Sequence, residues 1–297
     1  MALRILFLGS NGLFSRTVLI SLLEARCNIA AVWLAGVAPQ QSLRPDRFSH
    51  LPIIRVTNPD TLTGIAEQSG IPVQGIVNRE QLHSPSLQRA ISADLALVAC
   101  FPFLLPQNLL ALPSLGCLNL HPSLLPAYRG PAPLFWQFWA GEREGGITLH
   151  VMTEHVDAGD IVAQESVPLP AGIGGAAVNR QLAVIGGRLA CAAVDGLWHG
   201  KLARRSQCET RASYFSWPQE RDFSLAIGWS AERAFRFVRG TADWGQPYQV
   251  ISGAHTFWIE QAVGFLPDAT LPTPWARRGD ELWLRFTPGV LRVIPSS

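Results

Sequence analysis

An asparagine and a histidine interrupt the apolar segment LNLHPSLLPAYRGPAPLFWQFWAG, which covers residues 118–141. Residues 117–120 have the composition of a short buried strand, so Asn119 and His121 point to the same side of it. Both lie at its carboxyl end, where the ligands of open α/β sheets bind. Two hydrogen-bonding side chains there can converge on one small polar atom. Alternatively, they can cap the strand and hold the proline-rich turn that follows.

A second polar cluster lies downstream in VDAGDIVAQ, where Asp157 and Asp160 flank Ala158–Gly159. An aspartate in such a turn commonly bonds its own backbone, which is one interpretation of Asp160. An aspartate brought to the same strand end as a histidine can orient the imidazole or relay a proton. Both interpretations stay open at the level of sequence.

Apolar runs and apolar spacing predict strands that alternate with helices in the first two thirds of the chain. The predicted strands cover residues 3–8, 29–34, 94–99, 117–120, 147–152 and 161–167. The predicted helices cover residues 13–25, 60–68, 81–91, 132–140 and 176–198. This alternation predicts an α/β fold with a doubly wound, mostly parallel sheet.

The composition changes after about residue 201, where short strand-like segments are separated by proline and glycine. These segments cover residues 249–252, 256–261, 281–286 and 290–294. One helix is predicted over residues 230–239, with Ser230 as its N-cap. We therefore predict two domains, an α/β domain over residues 1–203 and a small, largely β domain over residues 204–297.

Composition excludes several classes of protein. The 297 residues are 48% hydrophobic and 15% charged, with a formal net charge of +2, which excludes a disordered chain and disfavours a dedicated nucleic-acid binder. Five cysteines without a CxxC motif are interpreted as reduced thiols of a cytoplasmic protein.

The opening MALRILFLGS is too short for a signal peptide, and no apolar run reaches membrane-spanning length. The histidines are dispersed, so no metal site is predicted.

The two polar clusters lie in the blocks GCLNLHPSLLPAYRGPAPLFW and GITLHVMTEHVDAGDIVAQ. Together these blocks resemble the formyltransferase family that uses 10-formyltetrahydrofolate, over about the first 200 residues of the chain. The resemblance implies the formyltransferase fold and a catalytic set of Asn119, His121 and Asp157. In such a reaction an amine attacks the formyl carbon while Asn119 and His121 donate to the oxyanion that develops. Asp157 would hold the protonation state of His121 and help to remove the amine proton.

The resemblance also implies which residues bind the donor and the acceptor. The folate is expected to contact Phe103, Leu104, Leu105, Glu154 and Val156, with core packing as the alternative for the apolar members of this set. The acceptor is expected to contact Ser10, Asn11, Ser123, Arg129 and Gly130. The loop Gly9–Gly12 follows the first strand and opens a helix, so a tight strand–helix turn is the alternative for its residues.

The acceptor is predicted from charge. The region that matches the basic loop of tRNA-modifying members reads AGVAPQQSLRPDRFSHLP and contains Arg44 and Arg47 but no lysine cluster. Phosphate-backbone binding requires several cationic contacts, so we favour a primary amine or hydroxylamine of a small molecule, such as an amino sugar nucleotide, an amino acid or a siderophore precursor. Methionyl-tRNA is the alternative acceptor. A non-catalytic folate-binding relative is a third interpretation, against which the intact catalytic set argues. The oligomeric state is left unassigned.

Overall fold

The computed structural model describes residues 2–36, 58–89 and 92–296. The chain divides into two compact units that alternate along the sequence. The first unit comprises residues 1–121, 147–165 and 180–211. The second comprises residues 122–146, 166–179 and 212–297. The domain boundary predicted at residue 203 stays a prediction.

A sheet of seven strands carries the polar clusters. Its strands are β1 (Arg4–Gly9), β2 (Asn28–Ala35), β3 (Val73–Ile76), β4 (Leu95–Ala99), β5 (Cys117–His121), β6 (Glu144–Val151) and β7 (Ile161–Pro168). They are arranged in the order β3-β2-β1-β4-β5-β6-β7. The pairs among β1 to β5 are parallel, and β6 runs antiparallel to β5.

The parallel strands are apolar along almost their whole length. All five residues of β4 are buried, as are five of the six residues of β1, which fits strands covered on both faces. The strand order reverses between β1 and β4, and ligands of such sheets bind outside the carboxyl ends of the strands near this point. Strand β5 lies next to β4 and places Asn119 and His121 at the same edge.

In the part of the chain that the structure describes, seven α-helices connect the strands. They are α1 (Leu13–Glu24), α2 (Leu62–Gln68), α3 (Pro85–Arg89), α4 (Gln107–Leu110), α5 (Pro133–Ala140), α6 (Gly175–Trp198) and α7 (Ala231–Gly240). Short 3₁₀ helices cover Glu80–His83, Glu209–Arg211, Glu220–Phe223 and Ala242–Trp244. Within residues 2–36, 58–89 and 92–296, no helix combines the length and apolarity needed to cross a membrane.

A second sheet of six strands follows in the last third of the chain. Its strands are β8 (Ser224–Leu225), β9 (Tyr248–Ser252), β10 (His255–Leu266), β11 (Trp275–Arg278), β12 (Glu281–Arg285) and β13 (Val290–Pro295). They are arranged in the order β11-β12-β13-β10-β9-β8, and every pair is antiparallel except β8 with β9. The hydroxyl of Ser230 accepts a hydrogen bond from the Arg233 N–H at 3.1 Å, which confirms Ser230 as the N-cap of α7.

These two sheets confirm the predicted fold class. The continuous helix predicted over residues 81–91 was wrong, because the chain instead forms a 3₁₀ helix that ends at His83 and then α3. The break falls at Pro85, whose missing N–H and fixed φ suit a helix start rather than a helix interior. Ile91 lies outside the described residues. Sequence patterns missed β3, β8, β11 and α4, none of which exceeds four residues.

Candidate active site

The pairing of β5 with β6 brings four polar side chains together. Asn119 lies directly opposite His150, and His121 lies opposite Thr148. Side chains at alternate positions of paired strands share one face of the sheet, so these four residues form a polar patch. At the start of β5 the Met152 N–H donates to the Cys117 carbonyl oxygen at 2.8 Å and extends the pairing of β5 with β6.

The carboxylate of Asp157 lies between two histidine rings. Its Oδ2 is 3.5 Å from Nδ1 of His121, and its Oδ1 is 3.5 Å from Nε2 of His150. The side chains are 12% exposed for Asp157, 5% for His121 and 2% for His150, so water screens their interactions little. The structure therefore brings the second polar cluster of the sequence to the first.

His150 contacts Asn119 as well as Asp157. Nδ1 of His150 lies 3.0 Å from the Val151 carbonyl oxygen, which only accepts, so the proton of the neutral ring sits on Nδ1. Nε2 then accepts from the amide nitrogen of Asn119 at 3.1 Å. This contact fixes the orientation of the amide and leaves its second N–H for another acceptor. Sequence analysis missed His150, although the alternation of Thr148 and His150 in an apolar strand is a signal for it.

The loop that carries Asp157 is held in a strained conformation. Asp157 has a φ of +53°, in the left-handed region. Nε2 of Gln207 donates to the carbonyl oxygens of Asp157 and Gly159, each at 2.7 Å. A Cβ on Gly159 would clash with the carbonyl oxygen of Val151, so only glycine allows the loop to lie this close to β6. These contacts set the position of the carboxylate.

A cavity of about 220 Å³ opens beside this cluster. Asp157 and His150 form part of its wall. Four of the five residues predicted to bind folate also line it, namely Leu104, Leu105, Glu154 and Val156. The fifth, Phe103, packs against the core of the parallel sheet and meets the ring of Phe101 edge-on at 5.5 Å between centroids. Arg79, which sequence analysis missed, adds a positive charge to the cavity wall.

Two of the predicted acceptor residues lie in the loop between β1 and α1. The Ser10 hydroxyl accepts from the Gly12 N–H at 3.4 Å. Oδ1 of Asn11 accepts from the Leu62 N–H at 3.2 Å, at the start of α2. Both side chains therefore have structural contacts, and their contact with an acceptor stays a prediction.

The other three predicted acceptor residues belong to the second compact unit. The Ser123 hydroxyl donates to the Ala127 carbonyl at 2.7 Å. The backbone of Arg129 pairs with Ser213 and Phe215, each at 2.9 Å. Gly130 has a φ of +114°, and a Cβ there would clash with the Phe215 carbonyl oxygen. Their contact with an acceptor likewise stays a prediction, and Arg44 and Arg47 lie outside the described residues.

An acid–base cluster at the carboxyl edge of a mostly parallel sheet, beside a cavity, is the arrangement of an α/β enzyme. In the described part of the chain, no three histidine, cysteine, aspartate or glutamate side chains are grouped so as to hold a metal ion.

The family model described as formyl transferase matches residues 49–189. A methionyl-tRNA formyltransferase from Marinobacter nauticus is 31% identical over 293 residues, which cover 98% of this chain and 90% of the relative. The chain belongs to the formyltransferase family, and the predicted resemblance is confirmed.

Solved structures share the fold at lower identity. An N-formyltransferase from Helicobacter canadensis, solved with folinic acid and dTDP-3-aminofucose, aligns with a TM-score of 0.67 and 13% identity over 100% of both chains. HypX from Aquifex aeolicus aligns with a TM-score of 0.61 and 16% identity. That alignment covers 99% of this chain and 44% of HypX, so this chain spans less than half the length of HypX. At these identities the likeness shows the fold alone.

Proposed function

We propose that this protein transfers the formyl group of 10-formyltetrahydrofolate to the primary amine or hydroxylamine of a small molecule. The observation that carries the proposal is the Asp157 carboxylate, 3.5 Å from both His121 and His150, with Asn119 hydrogen-bonded to His150. This cluster supplies hydrogen-bond donors and an acid–base pair at one strand end. Those are the groups that acyl transfer to an amine requires.

The cavity beside the cluster fits the ring system of a reduced folate. Its volume of about 220 Å³ is smaller than the cavities of about 300–1,000 Å³ that enclose whole drug-sized ligands, so the rest of the donor would lie outside it. Leu104, Leu105 and Val156 offer apolar contacts to a flat ring. Arg79 offers a cation to an acidic tail. The folate supplies the activated formyl group.

Each residue of the cluster has a distinct role in this proposal. Asn119 donates its second amide N–H, and His121 donates from Nε2, to an oxygen on which negative charge develops. Asp157 stabilises the charged ring of His121 and orients it through Nδ1. The Asp157 carboxylate takes up the proton that the attacking amine loses, directly or through water, while His121 keeps both of its ring protons.

Methionyl-tRNA is the second candidate acceptor. One observation favours it: the Marinobacter nauticus relative that carries this name matches 98% of this chain. The few basic residues of the 35–52 region favour the small acceptor instead. A cytoplasmic location, the oligomeric state and the roles of Ser10, Asn11, Ser123, Arg129 and Gly130 are further parts of the proposal that experiment must decide.

The test is a parallel assay with one donor and several acceptors. The purified protein is incubated with 10-formyltetrahydrofolate and, separately, with nucleotide-linked amino sugars, free amino acids, hydroxylamines and methionyl-tRNA, while release of tetrahydrofolate and formylation of each acceptor are measured. We expect turnover with one of the small amines. His121→Ala should abolish it, and the control His83→Ala, at an exposed position of a 3₁₀ helix, should not.

The outcomes separate the parts of the proposal. Turnover only with methionyl-tRNA would replace the acceptor and keep the chemistry. Binding of a reduced folate without turnover on any acceptor, unchanged in His121→Ala, would favour the non-catalytic interpretation. Absence of binding to 5-formyltetrahydrofolate by calorimetry would remove the folate from the proposal.

A further inference from the structure

Helices α1 and α6 approach each other closely at Gly187. A Cβ on Gly187 would lie only 2.7 Å from the Cβ of Ser21, which is closer than real Cβ contacts allow. Cys191 lies four residues, or about one helical turn, further along α6. Its Sγ is 3.4 Å from the Ser21 carbonyl oxygen, to which the thiol donates. The close crossing therefore sets the Cys191 thiol against the last turn of α1.

A second cysteine lies at the same end of α1. The N–H of Cys27 donates to the Leu22 carbonyl at 2.9 Å, in the turn between α1 and β2. Each of the two thiols is the largest single influence on the pKa of the other, so they lie next to each other, and both are half-buried. Both also line a cavity of about 590 Å³ at this end of the helix. Two residues that are 164 positions apart thus present their thiols to one another and to one cavity.

The two thiols shift the pKa values of one another in opposite directions. The neighbouring thiol raises the pKa of Cys27, in the same direction as burial. The Cys27 thiol lowers the pKa of Cys191, against the opposing effects of burial and of the Glu24 carboxylate. A lowered pKa beside a second thiol is typical of redox-active cysteines. The other charged groups at this cavity are Arg26 and Asp195.

We infer that Cys27 and Cys191 form a redox-active pair that converts reversibly to a disulfide, with hydrogen peroxide as the oxidant. The Cys191 thiolate attacks one peroxide oxygen, the O–O bond breaks, and the released hydroxide takes a proton to become water. Cys191 is then a sulfenic acid. Cys27 attacks its sulfur, the S–S bond forms, and the S–O bond breaks with release of a second water. Two thiols lose two electrons and one peroxide becomes two waters, and a dithiol reductant reverses the change.

The remaining cysteines, all of which lie in the described ranges, have other surroundings. Cys117 is buried in β5, and burial raises its pKa to about 12. Cys208 is exposed and contacts the hydroxyl of Thr210 at 3.2 Å. Cys100 is exposed and directly follows β4, far along the chain from both Cys27 and Cys191. Cys208 is therefore the matched control, because it is accessible and its pKa is also lowered, chiefly by that hydrogen bond.

Peptide mapping tests the pair directly in the whole protein. The protein is treated with one equivalent of hydrogen peroxide, the free thiols are alkylated, and the protein is digested with trypsin without reduction. The sequence places Cys27 on the fragment 27–47, since the Arg44–Pro45 bond resists trypsin, and places Cys191 on the fragment 189–201. We expect these two fragments as one linked species, lighter than the two thiol peptides by two hydrogens and separated by a dithiol. Cys208→Ser should leave its yield unchanged.

A single variant tests the order of the steps. In Cys27→Ala the sulfenic acid of Cys191 has no second thiol, so a cyclic 1,3-diketone should label Cys191 after peroxide treatment at least about tenfold more than in the unsubstituted protein. Two results would overturn the inference. One is alkylation of both Cys27 and Cys191 after peroxide treatment, with no linked fragment. The other is equal diketone labelling of Cys191 with and without Cys27.

Discussion

Asn119 and His121 lie two residues apart on β5 and face the carboxylate of Asp157 and the ring of His150. In the proposed reaction Asn119, His121 and Asp157 all act on the negative charge that develops on the formyl oxygen. We expect Asn119→Ala, His121→Ala and Asp157→Ala each to lower kcat by about a hundredfold or more, because losing one such donor typically costs about 10²–10³ in kcat. Folate affinity should change little. The measurements are steady-state kinetics and calorimetry with a folate analogue.

The combined variants extend this prediction. Residues that act on one charge are non-additive, so the triple variant should be only slightly slower than the slowest single variant. Asp268→Ala serves as the exposed control. Near-normal turnover of His121→Ala on the true acceptor would refute the assignment of the catalytic set.

The resemblance to the family implies no role for His150, but its ring contacts the amide of Asn119 at 3.1 Å. We expect His150→Ala to lower kcat by roughly tenfold to a hundredfold, because the amide loses the partner that orients it. The same change made in an Asn119→Ala protein should have little further effect on kcat. A double-mutant cycle measures this coupling.

Two results would contradict that role for His150. Additive losses in the cycle would mean that His150 acts independently of Asn119. A fall in thermal stability with unchanged kcat would make its contribution purely structural. The matched comparison is Thr148→Val, since Thr148 is buried on the same strand and its hydroxyl accepts from Gln164 at 2.8 Å.

At the scale of elements, the loop between β6 and β7 decides where the carboxylate lies. Gly159→Ala would place a Cβ against the Val151 carbonyl and move the loop away from β6. We expect a large loss of kcat, since a displacement of about 1 Å at a reacting group can cost on the order of a hundredfold. The measurements are kcat and the unfolding midpoint.

The control for this substitution is Gly228→Ala. No atom lies within 4 Å of the Cβ it would add, and its φ is not in the left-handed region. Gly228→Ala should therefore leave both kcat and the midpoint unchanged. Equal behaviour of the two variants would mean that the loop does not depend on the close approach to Val151.

The sequence predicted the elements that have long apolar patterns. Strand β5 was found from its apolar run, and period-two alternation correctly placed Asn119 and His121 on one side of it. The antiparallel direction of β6 was not predicted, because strand direction depends on the connection and on pairing rather than on composition. His150 was missed for the same reason, since only the register of β6 places it opposite Asn119.

Contacts between residues that are distant along the chain could not be predicted from the sequence either. Gln207 lies 50 residues from Asp157, and no local pattern links a glutamine side chain to that carbonyl. Cys27 and Cys191 are further apart still, and they were interpreted only as separate reduced thiols. By contrast, the resemblance to the family singled out Leu104, Leu105 and Val156 as folate contacts, and these residues line the cavity. A sequence motif predicts the residues of one local site, whereas contacts between separate elements can be identified only from the three-dimensional structure.

At the scale of the whole molecule, the available positive charge bears on the acceptor. Lysines and arginines number 24 against 22 acidic residues. Several arginines are already paired with carboxylates, as in Arg143 with Glu232 at 2.8 Å and Arg292 with Glu281 at 2.7 Å. Each such pair leaves less charge for a phosphate backbone.

This charge balance predicts a weak salt dependence. A protein that makes 6–10 phosphate contacts loses about 10³–10⁵ in affinity between 50 and 200 mM salt, because each contact releases counterions. We expect methionyl-tRNA to bind this protein weakly and to lose less than about tenfold over that range, as measured by fluorescence anisotropy. Replacing both Arg44 and Arg47 by alanine should leave formylation of the small acceptor largely intact. Tight binding of methionyl-tRNA with a steep salt slope, reduced in that double variant, would instead identify Arg44 and Arg47 as phosphate contacts and make the tRNA the acceptor. The assignment of the catalytic set on β5 and the β6–β7 loop would be unaffected.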